Sequence, residues 1–392
     1  SSTLMSKHII TGLDIGTSAI RVVVCEVIRQ SPAPKILAMV RVPSRGLRRG
    51  YIVNQSEAES AIAEALAEAE KVAKVKIRGV FLGIGGVGLE SRQSEGQVAV
   101  TRADSEINEL DIKRANEQAE GNLVNINNYR ILHTISLAFK LDGKKILGQP
   151  EGMKGNKLEV KTLFVCCLNQ HINNLIKTVE AVGVTVEDII ASPLAASFNT
   201  LTNNQKAVGV VLVNVGSQTT SMVVYEEGLP ITVQVLPIGS ADVTNDIALG
   251  LRLPLEEAEK LKNSLGQSNL ATKKKLDEII EARLSDMFEL IETQLKKIGR
   301  NELLPAGIII TGGGSNLPDI DKLAKNYLKL PARITGADNN NNPNTQIKNA
   351  SWSVAYGLCL FGLGSDRETA FSVKIFRQTS SKFVRWLKEF LP

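Results

Sequence analysis

Two stretches about 200 residues apart carry the same hydrophobic and polar pattern: GLDIGTSAIRVVV at residues 12–24 and VLVNVGSQTTSMVVY at residues 211–225. Each is an apolar run, a small polar turn of Gly, Ser and Thr, and a second apolar run. That pattern predicts a strand, a tight turn and another strand. Its recurrence points to a duplicated unit rather than a short-period repeat. Each copy is followed by further strand-like sequence and then by helix. Residues 56–75 (SEAESAIAEALAEAEKVAKV) are Ala-rich with Ile62, Leu66 and Ala69 near helical spacing, so a helix is expected there with Ser56 as its cap. GVFLGIGGVGLES then reads as a strand entering a Gly-rich turn.

From about residue 85 to 161 the pattern changes to short strands, a helical piece near residues 111–120 and Gly/Pro-rich turns in LDGKKILGQPEGMKGNKLEV, the profile of an inserted small subdomain. Strand (VKTLFVCCL) and helix (INNLIKTVEAVG) follow. Two amphipathic helices are expected over residues 243–300. In the later one Leu276, Ile279, Ile280, Leu284, Met287, Phe288, Ile291, Leu295 and Ile298 form one apolar stripe. GIIITGGGSNLPDIDKLA predicts a buried strand, three glycines and a helix, ADNNNNPN a polar surface loop, and NASWSVAYGLCLFG an apolar helix. A polar linker after Gly364 leads to SSKFVRWLKEFLP.

Composition narrows the class. At 392 residues the chain is long enough for two to three domains. Hydrophobic residues at 43% and charged residues at 22% fit a folded soluble protein. The net charge of +5 is dispersed and aromatics are 4%, so a basic stripe with interleaved aromatics is missing and nucleic acid is not an expected partner. Cys25, Cys166, Cys167 and Cys359 have no CxxC spacing and read as reduced core thiols of a cytosolic protein, while His8, His133 and His171 have no metal-ligand spacing. No apolar run approaches the ~20 residues needed to span a bilayer, and the N-terminal stretch lacks the order of a signal peptide.

Gly/Ser/Thr turns between strands aim backbone N–H groups and hydroxyls at anions. Two facing copies could clamp a triphosphate, with Asp14 holding Mg²⁺ through water. Gly312, Gly313 and Gly314 would then let an adenosine approach the backbone closely. Each copy alone is better explained as a plain β-hairpin with a Gly turn.

In the order GLDIGTSAIRVVV, PLAAS, VNVGSQTTSMVVY, TGGGSNLPDI and AYGL the chain resembles the nucleotide-site segments of the actin, heat-shock ATPase and sugar-kinase superfamily. With RRGYIVN, LDGKKILGQPEGMKGNKLEV, LPIGSADVTNDIA and the terminal amphipathic stretch, it is most similar to the FtsA family of bacterial cell-division proteins. The resemblance implies an α/β, actin-like two-lobed fold with an inserted α+β subdomain. Its expected parts are a first lobe at 6–84 and 165–195, the insertion at 85–164, a second lobe at 196–242 and 301–364 with a helical subdomain at 243–300, a linker at 365–379 and a membrane helix at 380–392. It further implies ATP and Mg²⁺ as ligands, self-association into filaments, and tethering of FtsZ, through its C-terminal tail, to the inner face of the cytoplasmic membrane at the division site.

By the same resemblance Asp14, Gly16, Thr17 and Ser18 form the first phosphate turn and Gly216, Ser217, Gln218, Thr219 and Thr220 the second. Glu259 and Lys262 match positions near ribose and adenine; a solvated i, i+3 pair worth about 0.2–0.5 kcal/mol is the other reading. Two departures bear on hydrolysis: Asn214 stands where superfamily ATPases usually have Asp, and Ser192 where several have a carboxylate before the proline of PLAAS. Asparagine keeps an acceptor oxygen but cannot take a proton. Phe383, Val384, Trp386, Leu387, Phe390 and Leu391 make an apolar face opposite Lys382, Arg385 and Lys388, which fits a membrane-surface anchor or a terminal helix docked on its own domain. Arg283 is the candidate contact for FtsZ. The rival expectations are an adaptor of the PilM type and a small-molecule kinase.

Overall fold

The computed structural model describes residues 8–28, 31, 33–264, 270–335 and 349–364. The ADNNNNPN loop, the linker and the 380–392 helix expected above lie outside the described residues.

The first apolar–polar–apolar stretch forms a hairpin of β1 (Ile9–Ile15) and β2 (Ala19–Glu26), extended by β3 (Lys35–Pro43). A two-residue-stranded ribbon, β4 (Leu47–Arg48) with β5 (Tyr51–Ile52), leads into α1 (Gln55–Ala73), and β6 (Gly79–Ile84) returns parallel to β1. α1 lays Ala58, Ala61, Ile62, Ala65, Leu66 and Ala69 on the sheet. Its cap is Asn54, not Ser56. Asn54 is still extended and its side chain accepts from Glu57 N at 3.2 Å, whereas Ser56 already lies inside the helix.

The next region contains β7 (Glu90–Ala99), α2 (Glu109–Gly121), β8 (Tyr129–Leu141), β9 (Lys144–Ile146) and β10 (Lys157–Leu168). Its strands are not short: β7, β8 and β10 run 10, 13 and 12 residues. They looked like fragments because β8 and β10 serve two cores. Leu132, Ile135, Leu163, Val165 and Cys167 pack with the first sheet, while Ile131, Phe139, Leu141, Leu158, Val160, Phe164 and Cys166 pack around α2. Register shifts between Lys161 and Thr162 and between Val165 and Cys166 break the alternation further. α3 (Asn169–Ala181), β11 (Thr185–Ala191), α4 (Ser192–Thr200) and α5 (Asn203–Val208) follow, completing a five-stranded sheet in the order β11-β6-β1-β2-β3.

The second copy of the pattern forms β12 (Val210–Val215) and β13 (Thr220–Glu226), extended by β14 (Leu229–Leu236). Then come α6 (Ser240–Leu251), α7 (Leu255–Asn263), α8 (Leu270–Lys297), β15 (Ile308–Thr311), a 3₁₀ turn (Gly313–Asn316), α9 (Ile320–Leu328), β16 (Ala332–Ile334) and α10 (Ser353–Gly364). Three helices stand where two were expected. Arg252 turns left-handed at φ 53° and Pro254 cannot continue a helix, so α6 and α7 separate. The expected stripe holds, with Leu276, Ile280, Leu284, Met287, Phe288, Ile291 and Leu295 buried and Ile279 and Ile298 at its margin.

The second sheet runs β16-β15-β12-β13-β14-β7-β10-β8-β9, its two halves joined by the single pair Gln234 and Glu90. Both of its faces are covered at β12 and β13. Val211, Val213, Val215, Met222 and Val224 pack with α6, α8 and α9, while Val210, Leu212, Val223 and Tyr225 join the core that holds α4 and α10. Burial on both faces is why these strands read as near-continuous apolar runs. All four cysteines are free and buried, as expected.

Candidate functional site

The two hairpins face each other across a cleft of about 540 Å³, within the usual range for small-molecule sites. Their turns are built alike. Gly16 N donates to Ala19 O at 3.1 Å, and Gly216 N donates to Thr219 O at 2.9 Å. A Cβ at either glycine would run into those same carbonyl oxygens, so only glycine permits the turn. Ile15 pairs with Ile20 in one hairpin as Val215 pairs with Thr220 in the other.

This shared register sets two matching rows of side chains. Across β1, β2 and β3 the row is Asp14, Arg21, Arg41; across β12, β13 and β14 it is Asn214, Ser221, Val235. All six residues line the cleft. One wall is therefore charged where its counterpart is neutral.

Burial raises the Asp14 pKa above the ordinary carboxylate value, an effect that the nearby Arg21 charge only partly offsets. Burial pushes the Arg21 guanidinium below its ordinary value; Asp14 opposes this, and the smaller repulsion from Arg41 adds to it. Its Nε is buried and has no hydrogen-bond partner among the described residues. The guanidinium carbon lies 6.0 Å from the centroid of the Trp352 ring. No cluster of three or more His, Cys, Asp or Glu that could hold a metal occurs among the described residues. One desolvated carboxylate facing an open cleft nevertheless suits Mg²⁺, which takes one or two carboxylates and draws its other oxygens from phosphate and water.

A strap closes one side of the cleft. In the turn between β4 and β5, Gly50 N donates to Thr17 Oγ1 at 3.0 Å and Arg49 N donates to Gln218 Oε1 at 2.7 Å, so one turn touches both hairpins. Gly50, at φ +83°, packs so tightly on Gly86 that a Cβ would collide with its Cα. His171 Nε2 lies 2.8 Å from Gly85 O and its ring packs against Tyr51, holding the same corner.

At the other end, the Glu259–Lys262 pair is solvated on one side only: Glu259 is half exposed and Lys262 is buried. Lys262 is 7% exposed, and its Nζ donates to Glu259 Oε2 at 2.8 Å, Thr244 Oγ1 at 2.8 Å and Ser240 O at 3.2 Å. All three ammonium donors are thus used within the protein, and Lys262 fixes α7 on α6 while Glu259 borders the cleft. Burial alone would raise the Glu259 pKa, but the hydrogen bonds from Lys262 and Thr244 outweigh it and leave the carboxyl below its ordinary value.

A family model described as "Cell division protein FtsA" matches residues 211–357, and one described as "SHS2 domain inserted in FTSA" matches residues 86–166. The cell division protein FtsA of Pseudomonas aeruginosa is 32% identical over 383 residues, covering 92% of this chain and 91% of its own. That of Borreliella burgdorferi is 30% identical, covering 98% and 100%. The chain belongs to the FtsA family. Among solved structures, a PilM–PilN type IV pilus biogenesis complex matches with a TM-score of 0.64 at 18% identity, covering 90% of this chain and 98% of that one. MreB5 of Spiroplasma citri bound to ADP matches with a TM-score of 0.52 at 13% identity, covering 91% and 97%. These likenesses establish the expected actin-like α/β fold, and the PilM likeness extends no further than fold.

In this FtsA-family chain Asp14, Gly16, Thr17, Ser18, Gly216, Ser217, Thr219, Glu259, Lys262 and all three glycines at 312–314 border the cleft. Two expected residues do not. Thr220 sits on the same side of β13 as Met222 and Val224, and its hydroxyl donates to Ile238 O at 2.8 Å inside the core. Gln218 turns to the strap. The glycines also divide: a Cβ at Gly312 would strike Asn214 Oδ1 and one at Gly314 would strike Val215, whereas Gly313 meets nothing within 4 Å. Packing on β12 explains two of them, whereas no protein atom crowds the Cβ position of Gly313. Ser192 does border the cleft and supplies a hydroxyl there. Arg283 is already engaged, donating to Asp246 at 2.6 and 2.9 Å and lying 3.4 Å from Asp286. The membrane residues Lys382 to Leu391 lie outside the described residues, and no described helix is long and apolar enough to cross a membrane.

Sequence reasoning missed Arg21, Arg41 and the strap. Arg21 stands inside the apolar run IRVVVCE and Arg41 in VRVPSR. Only strand registry puts the two beside Asp14.

Proposed function

We propose that the cleft binds ATP, with Mg²⁺ held at Asp14 and the phosphates lodged between the two hairpins. The observation that carries this reading is the pair of identically registered turns whose Gly, Ser and Thr residues border one cavity, with the only carboxylate of the two rows at Asp14. Bound Mg²⁺ would screen the phosphate charge. Hydrolysis is slow in this reading: Asn214 can hydrogen-bond a water but cannot take its proton, and Ser192 offers no carboxylate in compensation. Nucleotide then acts as a clamp between the hairpins rather than as fuel. On the strength of family membership we further propose that the chain polymerises, binds the FtsZ tail, and sits on the inner face of the cytoplasmic membrane through residues 380–392.

Calorimetry with ATP and Mg²⁺ tests the clamp, with phosphate release followed on the same sample. Binding with turnover close to background is the expected result, and release at the rate of an ordinary actin-like ATPase would sink the clamp. Co-sedimentation with anionic vesicles, with and without FtsZ, tests the tether. Removing residues 380–392 should abolish pelleting and leave nucleotide binding intact. Because Arg283 already serves Asp246, its substitution is a poor probe of the FtsZ contact, and a titration of the intact chain with an FtsZ tail peptide is the direct measurement.

A further inference from the structure

We infer that Arg21 is a phosphate-binding residue that gives the cleft a counter-charge of its own, so that nucleotide is retained by its phosphate tail even when the metal is removed. The inference rests on the ATP reading above and adds a specific residue to it.

Three observations converge. First, Arg21 occupies the centre of the row Asp14, Arg21, Arg41, and all three line the cleft. With one carboxylate and two guanidinium groups the row carries a net positive charge, while the matching row on the opposite wall carries none. Second, no ion pair within 4 Å joins Arg21 or Arg41 to a carboxylate among the described residues, and Arg41 acts on Arg21 as a repelling neighbour. Asp14 attracts Arg21 more strongly than Arg41 repels it, but one carboxylate set against two guanidinium groups leaves a positive surplus that an anion would neutralise. Third, the Arg21 Nε is buried and unsatisfied, a costly state for a donor unless an acceptor arrives. The Nη1 end lies near the phosphate turn: a Cβ at Gly16 would be 3.9 Å from it. A guanidinium presents several donors in a planar fork that matches phosphate oxygens.

A purely structural role, stacking on Trp352, would leave Nε unsatisfied and would be indifferent to how many phosphates a ligand carries. Arg41 is the more exposed of the pair, so its contribution is the weaker, longer-range one.

Trp352 also supplies a readout. The chain has two tryptophans, so in a full-length Trp386→Phe background the intrinsic fluorescence reports on the ring beside Arg21. ATP, ADP and adenosine are titrated with Mg²⁺ and with EDTA, into the parent and into Arg21→Met and Arg21→Lys. The parent should bind ATP in EDTA, more weakly than with Mg²⁺. Arg21→Met should lose at least about tenfold in ATP affinity in EDTA, as expected for a hydrogen bond to a charged group. Its adenosine affinity should be unchanged, which also shows that the cleft is folded. Arg21→Lys should recover most of the loss. An Arg21→Met variant that binds ATP in EDTA as well as the parent does, one that loses adenosine as much as ATP, or a parent that binds no ATP in EDTA would overturn the inference while leaving the ATP reading standing. A parent that binds no ATP even with Mg²⁺ would remove the ATP reading itself.

Discussion

The two walls of the cleft are the same hairpin with different side chains. Backbone registers, turn hydrogen bonds and collision-bound glycines coincide, yet Asp14, Arg21 and Arg41 stand on one wall where Asn214, Ser221 and Val235 stand on the other. Geometry is thus common to both walls, and charge belongs to one. In the proposed reading the first wall handles metal and phosphate charge, and the second contributes neutral donors that close over the same ligand. A division of this kind favours holding a nucleotide over cleaving it, since cleavage needs a charged or basic group beside the attacking water as well.

The sharpest way to break the comparison is to make the walls alike. Asp14→Asn, which gives the first turn the residue of the second, should abolish Mg²⁺-dependent ATP binding, a loss of several kcal/mol or at least about 100-fold in affinity by calorimetry. The converse, Asn214→Asp, is nearly isosteric beside the tightly packed Gly312 and should raise steady-state phosphate release, by up to about 10²-fold if the new carboxylate acts as a base; an unchanged rate would show that charge at this position does not limit hydrolysis. Without ligand, Asp14→Asn should also stabilise the protein by about 0.5–2 kcal/mol in a thermal or urea melt, because the ionised carboxylate is desolvated without a close partner. A ligand-free variant less stable than its parent would mean that Arg21 satisfies Asp14 after all.

Smaller effects sharpen the picture at the edges. Gln218→Ala removes the bond from the strap to the second hairpin and should weaken nucleotide binding by about 0.5–1.5 kcal/mol, read by calorimetry. The smallest is a pH effect at Glu259. Its folded-state pKa is depressed, so its contribution to stability is present above the unfolded value and fades as pH falls through the folded one. Glu259→Gln should flatten that acid limb of the melting temperature against pH and leave the neutral region nearly untouched.

The sequence carried the hairpins and the long apolar stripe of α8 plainly, since both rest on local periodicity and on glycines that a turn demands. It misled where one strand serves two cores, as in β8 and β10, because the alternation then follows two sets of neighbours in turn. The break between α6 and α7 was marked by Pro254 and could have been read. The cap at Asn54 lay two residues before the expected one, within the range over which local signals compete. Arg21 was out of reach for a different reason. Nothing in IRVVVCE says which residue sits opposite it on β1, or that β3 places a second arginine beside it, because registry between strands is a property of the assembled sheet.

α10 is the last described element, and its packing decides how a pull from its C-terminal side would enter the molecule. Gly357 lies so close to Ala195 on α4 that a Cβ would strike its carbonyl, and Gly12 on β1 is held equally close to Ala355. Gly362 packs on the side chains of Phe81 and Ile10. Tension applied at the C-terminal end therefore runs first into a helix that is keyed to the strand carrying Asp14 and to the helix beginning at Ser192. A copy tethered as proposed would carry its load past two residues that border the nucleotide cleft, Asp14 and Ser192.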